Sequence, residues 1–192
     1  LRMIVERVTG ESMADFADRE LYAPLGMTDT AFFPPSEDLP RIAPTEQLEG
    51  ELLRGVVHDP MSRLLGGIGG RAGLFSTARD VSVFAQMILN GGTYDGRRVF
   101  SPLTLRAMSH ERDRGRGYGF DVFSPYANIR GDLLGPESFG HSGYTGTSIW
   151  IDYEQQLFVI LLTNRVHPDD RGSVVPLRSK VSNVVAASII DR

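Results

Sequence analysis

Apolar residues recur at helical spacing through the first part of the chain. Leu1, Ile4, Val5 and Val8 share one face of a segment that Gly10 ends. Ser12, with Asp15 three residues on, is placed to cap a second helix whose apolar positions are Met13, Phe16, Ala17 and Leu21. Pro24-Leu25-Gly26-Met27 stops it. The first helical pattern leaves no room for a preceding cap, so the sequence predicts further chain upstream of Leu1. From Phe33 to Gly55 the periodicity fades while Pro34, Pro35, Pro40 and Pro44 recur, which predicts an irregular surface excursion of the kind that tends to be functional or mobile.

Residues 66–73 hold five glycines, either as a tight connector or as a place where backbone or ligand approaches closely. Ser76 or Thr77 can then cap a helix with Val81, Phe84, Ala85, Ile88 and Leu89 on one face and Gly91-Gly92 at its end. Asp95-Gly96 is a turn signal, and Ser101-Pro102 opens a short helix through Leu105 and Met108. After Gly117 the period shifts toward two: 119–123, 138–142, 147–152 and 157–163 read as strands, with the uninterrupted Leu157–Leu162 predicting a central strand covered on both faces. Val174, Leu177, Val181, Val184 and Val185 predict a closing helix laid across that sheet, with Pro176 in its first turn. Helices followed by an antiparallel sheet flanked by helices make an α+β chain, with 1–116 mainly helix and loop and 117–192 strands and a final helix.

Composition narrows the classes. The chain has 192 residues, 41% of them hydrophobic, and a net charge of −4 with acids and arginines interspersed; that is enough for a packed domain and gives no basic stripe for nucleic acid. Its longest apolar runs fall far short of the roughly 20 residues that cross a bilayer, and no targeting signal is visible. With no cysteine, disulfides, thiolate nucleophiles and Cys-based zinc sites are excluded. The four histidines have no zinc-motif spacing, so no metal or cofactor is predicted. His58-Asp59 reads as a polar pair at a cleft or, preferably, a hydrogen-bonded turn; His110 and His167 sit in polar segments expected to be exposed.

Chemistry is densest in Phe139-Gly140-His141-Ser142-Gly143-Tyr144-Thr145-Gly146-Thr147-Ser148. Small residues let a substrate lie along a strand edge, an imidazole can hold a proton, and hydroxyls can orient a carbonyl or carboxylate. A glycine-rich hairpin whose histidine serves a turn carbonyl explains the string equally well. It is not a nucleophile elbow, because Tyr144 stands where Gly-x-Ser-x-Gly needs its second glycine. Nor does the chain contain Ser-x-x-Lys: Lys180 is its single lysine, and Leu177 precedes it by three.

Five strings occur in order: Pro24-Leu25-Gly26-Met27-Thr28-Asp29-Thr30; Gly73-Leu74-Phe75-Ser76-Thr77-Ala78-Arg79-Asp80; Gly117-Tyr118-Gly119-Phe120; His141-Ser142-Gly143-Tyr144-Thr145-Gly146; and Asn164-Arg165. In this the chain resembles the class C β-lactamase and penicillin-binding-protein-like serine hydrolases, which include esterases and D-amino-acid peptidases. The resemblance implies a β-lactamase/transpeptidase-like fold, here the C-terminal portion of one domain with its N-terminal portion missing. Of that family's motifs, Ser-x-x-Lys and the Tyr-x-Asn that follows it would precede Leu1. Tyr126-Ala127-Asn128 spells the latter but stands just ahead of His141, and is read as a polar loop.

By the resemblance, His141 takes the place of the family's strand lysine as a cationic or hydrogen-bonding group. Ser142, Gly143 and Thr145 would line the substrate, and the Tyr144 backbone N–H would form half of an oxyanion hole. Arg71 stands where members of the family often have histidine. The histidine form suggests an ester or peptide acyl substrate more than a β-lactam, and the family suggests an extracytoplasmic or periplasmic setting. Two functions are expected from this: part of a serine hydrolase, inactive without its nucleophile segment, or a non-catalytic binding or assembly module that self-associates through an uncovered sheet edge.

Overall fold

A computed structural model describes residues 1–110, 112–125 and 127–189, without the side chain of Asn128. The chain divides into two compact units, Leu1–Val83 with Val166–Arg171, and Phe84–Arg165 with Gly172–Arg192.

In the first unit, α1 (Arg2–Thr9) ends at left-handed Gly10, and α2 (Met13–Ala17) begins under the Ser12 hydroxyl, which accepts the Asp15 N–H at 3.0 Å. A π-helical turn, Asp18–Tyr22, runs into α3 (Ala23–Leu25), which Gly26 terminates. The periodic residues of α1 do not form core: Leu1, Ile4 and Val8 are exposed, whereas Tyr22, Leu25 and Met27 are buried.

The proline-rich excursion is more ordered than the sequence predicts. It holds a 3-10 turn, Ser36–Arg41, and a small hairpin of β1 (Gln47–Leu48) and β2 (Glu51–Leu52). The hairpin closes because Glu49 (φ 53°) and Gly50 (φ 91°) supply the two positive dihedrals that a type I′ turn requires. Next, α4 (Pro60–Leu64) starts under Asp59, whose Oδ1 accepts the Ser62 N–H at 2.7 Å. The turn reading of His58-Asp59 therefore accounts for Asp59. Burial pushes the Asp59 carboxyl up, but bonds from Ser62 and Arg71 outweigh it and hold the group below its ordinary value.

Two of the family-like strings lock together here. Asp80, at the start of α5 (Ala78–Leu89), is buried and accepts the Asp29 N–H and the Thr30 hydroxyl, each at 2.8 Å. Thr30 also bonds Ser76 at 2.7 Å, and Ala31 pairs with Phe75 through a backbone bridge. Paired buried polar groups of this kind fix register as well as adding stability.

The chain passes into the second unit within α5, where Ala85, Met87 and Ile88 are buried. The Asp95-Gly96 turn joins β3 (Thr93–Tyr94) to β4 (Arg97–Arg98), and Ser101 caps α6 (Pro102–Ser109) through the Thr104 N–H at 3.0 Å. A 3-10 turn, Ala127–Arg130, precedes a three-stranded antiparallel sheet, β5 (Phe139–Ser142), β6 (Thr147–Asp152) and β7 (Leu157–Leu162), in that spatial order. α7 (Val175–Ala187) packs on the 3-10 turn and on β7. The architecture is α+β, an antiparallel sheet with helices, as the sequence predicts.

Three details differ from that reading. Residues 119–123 are not a strand: the Asp121 carboxylate takes the N–H and hydroxyl of Ser124, bending the segment so that isolated bridges from Asp121 to Arg116 and Gly140 remain. The central strand is β6, which carries the buried Trp150 and Ile151; among the described residues β7 pairs with β6 alone, and Leu162 is exposed. A continuous apolar run reports burial of side chains, not how many strands flank it.

The third concerns α7. Its buried residues are Arg178 and Ser182, while Leu177 and Val184 face outward. Polar partners turn the helix this way: Asn183 Oδ1 accepts the Asp132 and Leu133 N–H groups at 2.8 and 3.2 Å, and Arg178 reaches carbonyls of the sheet. The core beneath is Trp150, Ala127 and Leu134, with Ile129, Leu157 and Ala186 packed around them.

Candidate active site

Within the second unit, β5 carries the family-like motif to its end, and two close approaches explain its glycines. A Cβ on Gly140 would lie 2.0 Å from Ile149 O, and one on Gly143 would lie 2.3 Å from Thr147 Oγ1. A side chain at Gly140 would push β5 off β6, and one at Gly143 would have to displace the Thr147 hydroxyl. After Ser142, which pairs with Ser148, the chain turns tightly: the Gly143 N–H donates to Thr147 O at 2.7 Å and the Gly146 N–H to Gly143 O at 3.2 Å.

His141 projects from the exposed side of this strand. Arg116 Nη1 donates to His141 Nε2 at 2.8 Å, and His141 Nδ1 donates to Ser142 O at 2.8 Å. A guanidinium offers donors and no acceptor, so Nε2 accepts and the ring proton sits on Nδ1. Of the two roles expected for His141, the hydrogen-bonding one fits this geometry, with the positive charge on its partner. Arg116 is steered by Asp121, whose Oδ2 lies 3.6 Å from Nη2.

The turn is held from two sides. Arg178 Nη2 donates to Gly143 O at 2.7 Å and to Thr147 O at 3.0 Å, while its Nε is buried without a hydrogen-bond partner among the described residues. Desolvation, and then the nearby Arg165 charge, pull the Arg178 guanidinium below its ordinary proton affinity. Arg165 donates through Nε to Tyr144 O at 2.9 Å and through its backbone N–H to Thr145 O at 2.8 Å, and its guanidinium lies 4.3 Å from the centroid of the exposed Tyr144 ring. Both predicted residues after Gly143 are thus fixed through their carbonyls.

His141, Ser142, Gly143 and Tyr144 line one cleft of about 310 Å³ with Arg116, Asp121, Arg165 and Arg178. Three arginines face one carboxylate there, so the cleft favours an anionic group. Arg165 belonged to the family-like strings, but Arg116 and Arg178 went unnoticed in the sequence. The visible signal for Arg178 was its polar stripe with Ser182, one helical turn apart on a helix otherwise rich in valine.

Other predicted positions lie apart from this cleft's lining. Arg71 is exposed and bonds Asp59 Oδ2 at 2.6 Å. Ala127 is buried in the core, and the remainder of the Tyr126-Ala127-Asn128 string lies outside the described residues or has no described side chain. His110 and His167 are exposed, as expected, and His167 Nδ1 donates to Thr45 O at 2.9 Å.

An α+β chain that ends a strand in His-Ser-Gly over a cationic cleft has the architecture of the penicillin-recognising serine hydrolases. The beta-lactamase family model matches residues 1–181, and the chain belongs to this family. A protein of Escherichia coli O157:H7 named "putative D-alanyl-D-alanine carboxypeptidase" is 34% identical over 188 residues, covering 87% of this chain and 43% of that protein. A penicillin-binding protein homologue from Caulobacter crescentus superposes with a TM-score of 0.67 at 22% identity, over 96% of this chain and 55% of the other. The octameric penicillin-binding protein homologue from Pyrococcus abyssi gives 0.64 at 20% identity, over 97% and 40%. The chain therefore spans about half the length of the relatives it matches, and the structural likenesses establish the fold. Among the described residues no helix is long and apolar enough to cross a membrane.

Proposed function

We propose that this chain is the C-terminal portion of a single β-lactamase-like domain and forms the substrate-facing wall of a serine hydrolase. The nucleophile is carried on a segment outside residues 1–192, because the chain has no Ser-x-x-Lys. The match of one family model across both units supports treating them as parts of one domain.

In this reading a serine on that segment attacks an ester or amide carbonyl, giving an acyl-enzyme that water then opens. The Tyr144 backbone N–H supplies half of the oxyanion hole, Ser142 and Thr145 contact the substrate, and Gly143 keeps the turn close enough to β6 for both. His141 orients Arg116, whose charge stabilises the negative charge that develops at the reacting centre. The observation that carries the reading is the His141–Arg116 pair in a cleft shared with Arg165 and Arg178. That charge favours an acyl substrate bearing a free carboxylate, as a D-peptide terminus does, over a neutral ester; the name of the Escherichia coli relative points the same way.

A fluorescent penicillin tests the division of labour. The isolated chain is expected to take no covalent label, whereas the chain joined to a Ser-x-x-Lys segment takes one label on that serine. Labelling at Ser142 would overturn the assignment.

We also propose that the chain can self-associate through β7, whose outer edge has no strand partner among the described residues. An unpaired edge offers a row of backbone donors and acceptors to another strand, and a structural relative is octameric. Sedimentation is expected to show a concentration-dependent dimer that Ile160→Pro weakens, since the pairing alternation turns the Ile160 backbone N–H to the open edge and proline removes it. A monomer at all concentrations would exclude it.

A further inference from the structure

Glu46, His58 and Asp170 come from three separate segments of the first unit, and one donor atom from each falls within 4.8 Å of the other two. All three side chains are partly buried, with His58 at 11% and Glu46 at 24% side-chain exposure. His58 Nε2 and Glu46 Oε1 lie 3.4 Å apart. Ligands about 2.1 Å from a tetrahedral metal are separated by about 3.4 Å, the edge of the tetrahedron.

The backbone around the cluster is tied in place before any ion arrives. The Gln47 N–H donates to Pro168 O at 3.1 Å and His167 Nδ1 to Thr45 O at 2.9 Å, joining the residues flanking Glu46 to the segment that carries Asp170. The Leu53 N–H donates to Glu46 O at 2.9 Å, closing the hairpin behind Glu46, and the Asp170 N–H donates to Val166 O at 2.8 Å. On the third side, Arg63 donates to His58 O at 2.6 Å. The backbone that carries the donors is therefore held by hydrogen bonds, so an ion would have to order side chains alone.

From this geometry we infer that Glu46, His58 and Asp170 form a binding site for a zinc-class divalent cation, with water completing its coordination. One imidazole and two carboxylates suit zinc better than calcium or magnesium, which take oxygen ligands almost throughout. The two carboxylates bring a charge of −2, which a divalent ion neutralises. The site joins the 45–58 region to 166–171 within the first unit, and the hydrolase reading assigns no role to its three residues.

The test uses zinc itself, added to protein stripped with a chelator and followed by calorimetry and thermal unfolding. The expected result is one zinc per chain, with binding weakened at least tenfold in His58→Gln and in Asp170→Asn and a zinc-dependent rise in Tm lost in both. Cobalt in place of zinc should give visible d–d absorption that the same variants abolish. Magnesium and calcium should not raise Tm. Asp170→Asn is nearly isosteric and keeps the fold, so it decides the matter if His58→Gln is poorly folded. Absence of zinc binding, or binding unchanged in Asp170→Asn, would overturn the inference.

Discussion

His141→Ala, made in a protein that joins this chain to its nucleophile segment, is expected to lower kcat/KM for a chromogenic D-peptide substrate that keeps its terminal carboxylate by at least about tenfold and up to about 100-fold. Those factors correspond to about 1.4 to 2.7 kcal/mol of transition-state stabilisation. The variant leaves β5 paired to β6 but frees Arg116 Nη1 from the acceptor that aims it. Because the loss is in orientation of a charge, it should fall mainly on kcat. His141→Gln keeps a side-chain acceptor and should restore part of the activity. His141→Lys places a second cation beside Arg116 and should not, although lysine is the family's more familiar residue at this place. Arg116→Ala combined with His141→Ala should cost little more than either alone, since the two act as a unit. Unchanged turnover in His141→Ala, or better rescue by lysine than by glutamine, would sink the role assigned to the pair.

Much of the helical framework was legible because its signals are local. Ser12, Thr77 and Ser101 announce their helices by a hydroxyl three residues ahead of an N–H, and in each case that hydroxyl accepts the bond. The extent of β6 matches its reading at 147–152, and the apolar run from Leu157 marks β7 to within one residue of its end. What failed was decided by partners distant in sequence. The valines of α7 suggested its buried face, yet a guanidinium that satisfies two carbonyls outcompeted them for the interior. Residues 119–123 alternate like a strand, but the Asp121 carboxylate captured Ser124 instead.

The site divides in the same manner. His141 to Thr145 lie in one run, so the string itself pointed to them. Arg116 and Arg178 enter the cleft from a loop and a helix whose sequences carry no motif. Glu46, His58 and Asp170 likewise have no metal-binding spacing, since three separate segments supply them. A donor set drawn from three segments leaves no short-range histidine pattern in the sequence.

Arg178→Met should have the second large effect, and by a different route. Arg178 does not need to touch substrate; it holds the 143–147 turn by bonds to Gly143 O and Thr147 O, from a position 6% exposed. Methionine fills similar volume and removes a costly buried charge, which offsets part of the loss. The two carbonyls then lose a charged donor, at about 1.5 to 3 kcal/mol for each hydrogen bond to a charged group. If about 2.7 kcal/mol of this falls on the geometry of the turn, kcat/KM drops about 100-fold. Since Tyr144 and Thr145 belong to that turn, kcat and KM should both worsen, unlike the His141 variant. Arg178→Lys retains the charge but lacks the planar fork that spans both carbonyls, so it should recover less than half of the lost free energy. Circular dichroism and Tm separate the cases: a folded Arg178→Met variant with normal kcat/KM would show that the turn holds its shape without this arginine. A folded variant with the expected loss would make Arg178 the positioning residue through which α7 sets the His-Ser-Gly strand end.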